Sequence, residues 1–301
     1  MWRKRQEVLE LAALRGLQLN DENFKINDSG LDFQVAFATD QAGVDWVLRM
    51  PRRAGAFEKT KLEKIVLDLL KKKASFEVPN WELYLPDLIA YKALKGTPAG
   101  TINPATSRYV WEINQKKLPK VFVDSFAKAL VELHKLPLTE VEAAGIAIRD
   151  MAAVREDMSN RMDAVKKEFG VGESLWDRWQ SWLENDDLWP ETSCLVHGDL
   201  HPGHTMIKKS GEVTGLIDWT EAKVGDLTKD FVGFYRVFGE ASLDKLIEAY
   251  TQAGGYTWPK IKEHVIEMNT TYGLEVAEFA MEIDSDDYKQ AARRELGFYD
   301  L

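Results

Sequence analysis

The stretch from Leu195 to Glu221, LVHGDLHPGHTMIKKSGEVTGLIDWTE, constrains this chain more than any other. It sets three His, two Asp and four Gly between short apolar runs, so the runs fit strands and the polar residues fit their ends. Cys194, Leu195 and Val196 form one brief run. His197 to His204 follows as a loop, because Gly and Pro interrupt regular structure. Thr205, Met206 and Ile207 resume an extended pattern, Lys209-Ser210-Gly211-Glu212 turns, and Val213 to Ile217 returns, which reads as a hairpin. Asp218 ends the returning strand, so the spacing predicts that it lies beside Asp199 and His204. Two carboxylates and an imidazole then meet at one point.

Two chemistries use such a cluster. His197, Asp199, His201, His204 and Asp218 are enough nitrogen and oxygen donors for a zinc or dinuclear hydrolase site. Alternatively, a kinase catalytic loop follows H-x-D-x-x-x-x-N with a later Asp: the first Asp orients the attacking hydroxyl and accepts its proton, and the Asn and later Asp hold Mg²⁺. His197, Asp199 and His204 stand at the H, D and N offsets, and Asp218 takes the later place. An imidazole in the Asn position is a softer ligand and must be neutral to bind a cation, which leaves the metal preference open. No G-x-x-x-x-G-K-[ST] occurs, so a P-loop enzyme is excluded.

The first hundred residues favour the second chemistry. Residues 3 to 15 fit an amphipathic helix, and Phe24 to Ala38 reads as strand, turn, strand around Ser29 and Gly30. Val44 to Met50 alternates, with Trp46, Leu48 and Met50 on one face and Arg49 on the other. Residues 57 to 73 carry Leu62, Ile65, Val66, Leu69 and Leu70 at helical spacing, and their Lys71-Lys72-Lys73 end suits the negative helix terminus. Glu63 on this helix is placed to pair with Arg49, with Glu58 as competitor. Trp81 to Tyr84 and Leu88 to Leu94 add two strands. Lys95-Gly96-Thr97-Pro98-Ala99-Gly100 is the domain boundary.

From residue 119 onward helical patterns dominate. Phe122, Phe126, Ala129, Leu130 and Leu133 make an apolar stripe, with His134 near its end as a core histidine. Trp176, Trp179 and Trp182 read as packing. Gly225-Asp226 starts a further helix, and Gly254-Gly255 separates two of the last ones. Tyr272, Glu275 and Phe279 fall on one helix face, although an acidic residue in so acidic a segment equally suits water.

His-Gly-Asp-Leu-His-Pro-Gly-His-Thr, Gly-Leu-Ile-Asp-Trp-Thr-Glu-Ala, Ser29 to Gln34, Trp46 to Arg53 and Trp258-Pro259-Lys260 together resemble the macrolide 2′-phosphotransferases of the aminoglycoside phosphotransferase and protein-kinase-like superfamily. The resemblance spans nearly the whole chain. It implies an α+β, bilobal protein-kinase-like fold: an N-terminal nucleotide-binding lobe (1–95) with a five-stranded antiparallel sheet, a hinge near 90–96, and a mainly helical catalytic and substrate-binding lobe (97–301). It also implies transfer of the γ-phosphate of GTP, or ATP, with Mg²⁺, to the amino-sugar 2′-hydroxyl of a macrolide, giving antibiotic inactivation and resistance. By the same resemblance Asp199 is the base, and His204 and Asp218 hold the metal. Ser29, Gly30, Arg49 and Glu63 serve the nucleotide phosphates, and Ala90, Tyr91, Lys92 and Ala93 form the hinge. Asp230 buttresses the catalytic loop and, with Phe231, borders the substrate, which Tyr272, Glu275 and Phe279 contact. An aminoglycoside or other small-molecule kinase of the same fold is the alternative. Intact Asp199 and Asp218 argue against a non-catalytic nucleotide-binding module.

Composition agrees. With 301 residues, 45% hydrophobic and 29% charged, the chain can bury a substantial core in one large or two small domains. Its net charge of −10 argues against a nucleic-acid partner, because neutralising phosphates requires surplus Lys and Arg. Cys194 is the single cysteine, a buried inert thiol that allows no internal disulfide. No apolar run is long enough to span a membrane and the N-terminus lacks a signal-type core, so a cytoplasmic monomer is expected.

Overall fold

The computed structural model describes residues 3–28, 30–103, 106 and 108–298. Ser29, expected at the phosphate turn, lies outside the described residues. The N-terminal lobe runs α1 (Arg5–Leu14), β1 (Lys25–Asn27), β2 (Phe33–Thr39), β3 (Asp45–Pro51), α2 (Ala56–Lys73), β4 (Trp81–Leu85) and β5 (Leu88–Lys92). Its five strands form one antiparallel sheet in the order β1-β2-β3-β5-β4.

Alternation along β3 builds two cores. Trp46, Leu48 and Met50 pack with Leu88 and Ala90 against Val8 and Ala12 of α1. Val47 joins the larger core on the opposite face with Ile89, Tyr91 and the buried α2 residues Val66, Leu67 and Leu70. Arg49 shares that second face, so its side chain points towards α2.

The Gly/Pro-rich boundary is not a free linker. It forms β6 (Thr97–Pro98), followed by a hairpin of β7 (Gly100–Asn103) and β8 (Arg108–Trp111) that the sequence reading left unassigned. Then come α3 (Lys120–His134), α4 (Leu138–Ala143), α5 (Met151–Phe169), α6 (Glu173–Glu184), β9 (Cys194–Val196), β10 (Thr205–Ile207), β11 (Val213–Leu216) and β12 (Lys223–Gly225). The lobe ends with α7 (Lys229–Phe238), α8 (Glu240–Gln252), α9 (Ile261–Asn269), α10 (Tyr272–Ile283) and α11 (Asp286–Glu295). Among the described residues, no helix is long and apolar enough to cross a membrane.

β6 pairs antiparallel with β10, and β10 pairs with β11, so the chain leaving the first lobe adds a strand to the predicted hairpin. The segment after α2 docks there too. Glu77 donates its N–H to the Thr214 carbonyl and accepts from Leu216, and Phe76 stacks on Trp219 at 6.2 Å. The two lobes therefore meet on the β10–β11 hairpin itself.

The α3 stripe is buried as expected, as are Trp179, Trp182 and the Cys194 thiol, whose pKa burial pushes well up. One helix start differs: α7 begins at Lys229, not at Gly225-Asp226. Gly225 closes β12 against β9, and Asp226 accepts from the N–H and hydroxyl of Thr228 and from buried His264 at 2.6 Å. A carboxylate with that many partners ties three elements together and does not start a helix.

Candidate active site

β9 delivers the loop from His197 to His204, and its first turn is held from below. The Asp230 carboxylate, fully buried near the start of α7, accepts the N–H of His197 at 2.9 Å and of Gly198 at 2.8 Å. His134 Nε2 lies 3.1 Å from it, with Tyr250 at 2.9 Å on the other ring nitrogen. Burial alone would raise the Asp230 pKa, but these partners outweigh it and hold the group below the ordinary carboxylate value. Gly198 has φ +86° and a Cβ there would meet the Glu221 carbonyl at 2.4 Å, so the turn requires glycine.

Histidine tautomers in the loop follow from their carbonyl partners, because a carbonyl can only accept. His197 is fully buried and donates from Nε2 to the Ile217 carbonyl at 3.0 Å, leaving Nδ1 to accept the Asp199 N–H at 3.3 Å. Burial lowers its pKa, so the ring is neutral and structural. His204 donates from Nδ1 to the Asp199 carbonyl at 2.8 Å, so in the neutral ring the lone pair is on Nε2. That nitrogen faces Asp218 Oδ2 at 3.6 Å, and Asp199 Oδ2 lies 3.7 Å from the ring's other nitrogen.

The expected convergence of Asp199, His204 and Asp218 is therefore present. Asp218 has φ +65°, a conformation unusual for a residue with a side chain, and it stands two residues beyond the end of β11. Half of its side chain remains open to the cleft although protein surrounds it closely. Burial would raise its pKa, but His204, Arg49 and Thr220 pull it below the usual value. With the imidazole neutral, Nε2 of His204 and the Asp218 carboxylate would be two acceptors facing each other, a donor set that suits a divalent cation between them. Asp199, His201 and His204 also bring one donor atom each to within 4.8 Å of one another. His201, expected to be structural, accepts the Gly203 N–H on Nδ1, lies tilted against the His204 ring with centroids 3.9 Å apart, and has its pKa lowered to about 4 by burial and by His204.

From the first lobe, Arg49 Nη1 meets Glu63 Oε1 at 2.7 Å, and Glu63 is 1% exposed. Glu58, the competing partner, pairs with Lys61 on the surface. Burial lowers the Arg49 pKa, yet Glu63, Tyr91 and Asp218 outweigh it and keep the guanidinium charged. Burial pushes Glu63 up against the pull of Arg49. The Thr220 hydroxyl then lies 3.3 Å from Glu63 Oε2 and 2.9 Å from Asp218 Oδ1. A chain of contacts thus runs from Arg49 through Glu63, Thr220, Asp218 and His204 to Asp199. Thr220 escaped the sequence reading, although it stands two residues beyond Asp218.

Other expected residues are placed less simply. The Gly30 carbonyl accepts from Arg52. Of the expected hinge residues, Ala90 and Tyr91 are buried, the Lys92 side chain turns to Glu82 and Trp46, and Ala93 commits its N–H to the Asp45 carbonyl at 2.8 Å. That N–H is therefore not free to read a base edge. Asp230 and Phe231, expected beside a substrate, are both fully buried and line neither of the two cavities at Asp199, and the Asp230 carboxylate meets the loop from beneath.

Asp199 opens onto two adjoining cavities, of about 730 and 520 Å³. The larger lies between the β7–β8 hairpin and α7, with Tyr109, Trp111, Arg108 and Arg236 on its walls. The smaller lies among α5, β12 and α10. Tyr272 and Glu275 line both, and Phe279 lines the smaller, so the expected α10 face does meet at Asp199. The signal that could have found the β7–β8 wall is two short runs of β-favouring residues, Thr101-Ile102-Asn103 and Arg108-Tyr109-Val110-Trp111, separated in the sequence by Pro104.

With this geometry in place, residues 23–264 match the phosphotransferase enzyme family known as APH. The chain belongs to that family. This phosphotransferase is 42% identical over 291 residues to the uncharacterized protein YcbJ of Bacillus subtilis strain 168, covering 97% of this chain and 95% of the relative. Among solved structures it resembles a macrolide 2′-phosphotransferase type I, with a TM-score of 0.90, 36% identity and complete coverage of both chains. It also resembles the apoenzyme of macrolide 2′-phosphotransferase MphH from Brachybacterium faecium (TM-score 0.88, 33% identity, 98% and 99% coverage). The phosphotransferase is a small-molecule kinase with the bilobal kinase-like fold. A metal hydrolase assignment is thereby set aside.

Proposed function

We propose that this phosphotransferase moves the γ-phosphate of GTP, with ATP as second donor, to the amino-sugar 2′-hydroxyl of a macrolide, inactivating the antibiotic. The observation that carries this reading is the position of Asp199 at the junction of two cavities that share Tyr272 and Glu275. Their combined size suits a ligand larger than one sugar, with aromatic walls for a broad apolar face and a carboxylate for an amino-sugar cation. The 33–36% identity to macrolide 2′-phosphotransferases supports the same substrate class. Nucleotide use is supported by the family and by a GDP and kanamycin complex among structures of similar fold.

Asp199 would accept the proton of the attacking hydroxyl and aim its oxygen at the γ-phosphorus as the bond to the β–γ bridging oxygen breaks. Arg49, held rigid by Glu63, would take phosphate oxygens with its remaining N–H groups. Asp218 and Nε2 of His204 would hold Mg²⁺. When bound, that ion neutralises charge on the phosphates during transfer. His197 and Asp230 keep the loop in register and touch no substrate.

Purified protein incubated with Mg²⁺, GTP or ATP, and a panel of macrolides and aminoglycosides is scored by mass for phosphorylated product. Phosphorylation of macrolides that chelator abolishes and Mg²⁺ restores is the expected result. Product from aminoglycosides alone overturns the macrolide reading, and undiminished turnover in chelator overturns the metal assignment. Expression in a susceptible bacterium, with no rise in the inhibitory macrolide concentration, would argue against a resistance role.

A further inference from the structure

One ion pair, Lys229 Nζ with Glu275 Oε1, borders both of the cavities that meet at Asp199. The pair is accessible, with side chains 29% and 34% exposed. Lys229 begins α7 and Glu275 lies in the first turn of α10, so the bridge joins the helix under the catalytic loop to the acceptor face.

Charge accounting leaves Glu275 a single position of interest. The carboxylates bordering both cavities are Asp199 and Glu275. Asp199 is committed to the hydroxyl. Three further carboxylates border the smaller cavity alone: Glu278, held bidentately by Arg161, Glu282, held by Arg53 and Lys59, and Glu221, which does not reach the larger cavity. Glu275 is thus the carboxylate best placed to receive a substrate cation within reach of the base, and Lys229 already sits on it.

We propose that Lys229 is a specificity-determining residue: it occupies the cation subsite at Glu275, so an acceptor's ammonium must displace it, whereas an uncharged acceptor gains nothing there. This rests on the macrolide reading above for the acceptor's identity, but not for the competition itself. Displacement frees the Lys229 stem, which borders both cavities, to swing aside and widen the space at their junction, so a large cationic acceptor is selected both by charge and by space. Arg236 does not substitute for Lys229, since it is engaged by Asn269 Oδ1 at 3.0 Å and lies over the Tyr272 ring at 4.1 Å.

The test compares wild type, Lys229→Met, Glu275→Gln and the double variant, each saturated with Mg²⁺ and nucleotide. Tetramethylammonium chloride is titrated against sodium chloride at equal ionic strength, read by tryptophan fluorescence. Lys229→Met is expected to bind the cation about fivefold more tightly than wild type, the scale set by a partly exposed ion pair, and the gain is expected to vanish in the double variant. Unchanged or weaker binding by Lys229→Met, or a gain that survives Glu275→Gln, overturns the proposal. In turnover, Lys229→Met is expected to lower KM for a dimethylamino macrolide and not for its neutral N-oxide; an equal change for both overturns it. Absence of macrolide turnover in wild type removes the macrolide reading alone, because the cation titration still reports on Lys229 and Glu275.

Discussion

The Thr220 hydroxyl stands 2.9 Å from Asp218 Oδ1, and the same oxygen is 3.3 Å from buried Glu63. It is the point where the first lobe's ion pair touches the second lobe's carboxylate. Thr220→Val keeps the shape and removes the hydroxyl. Turnover is expected to fall about tenfold, the effect of losing one hydrogen bond to a charged group, with recovery in Thr220→Ser. Equal activity of Thr220→Val and wild type in steady-state assays would mean that the contact does not position Asp218.

Asp199 and Asp218 are expected to matter almost equally, because phosphoryl transfer depends on positioning and charge stabilisation. Asp199→Asn and Asp218→Asn should each lower kcat by at least about a hundredfold with unchanged far-ultraviolet circular dichroism. A retained kcat in either variant contradicts the assignment of that carboxylate.

Arg49 and Glu63 form the buried pair of the first lobe. Arg49→Met leaves the Glu63 carboxylate without its partner, and urea titration should show a loss of about 3–5 kcal/mol. Arg49→Met/Glu63→Met should regain much of that stability while remaining inactive. A double variant no more stable than the single one would show that the pair's cost lies in packing instead of charge.

Acid should destabilise the fold in two stages. Burial lowers the pKa of His197 and takes His201 down to about 4, so both bind fewer protons folded than unfolded. Their contribution is complete above the unfolded value of about 6.5 and is lost as pH falls below it. Asp226 and Asp230 are likewise held low against the effect of burial, and their contribution is lost below about pH 4. Denaturant midpoints measured from pH 8 to 3 should be flat above 7, then fall, and His197→Gln should flatten the upper part of the fall.

Gly233 of α7 lies so close to the catalytic loop that a Cβ would sit 2.2 Å from the Leu200 carbonyl. Gly233→Ala must push the loop or the helix aside. A stability loss of about 1–3 kcal/mol is expected from overpacking. Turnover should fall further, by up to about a hundredfold, because Asp199 precedes Leu200 directly. Matching losses in thermal melting and in kcat would indicate a purely global effect.

Most of this fold was legible along the chain because its signals are local. Alternation in Asp45–Pro51 separated Arg49 from Trp46 and Leu48, helical spacing placed Glu63 opposite it, and Gly and Pro marked the loop that carries Asp199. The helix start at Asp226 was misread because an acid before a helix resembles a cap until its true partners, Thr228 and His264, are known. Phe231 sat one turn into an amphipathic helix, and only packing showed that it faces inward.

By itself, then, the amino-acid order determined the hairpin and the meeting of Asp199, His204 and Asp218 at its end, since turn chemistry and strand spacing are properties of neighbours; the two-lobed plan followed from the family resemblance. Tertiary structure alone decided which nitrogen of His204 faces Asp218, that Thr220 links that carboxylate to Glu63, and that Lys229 covers Glu275 between two cavities. Those relations join residues far apart in the chain, and no periodicity records which distant carbonyl, hydroxyl or carboxylate folding will bring within hydrogen-bond reach.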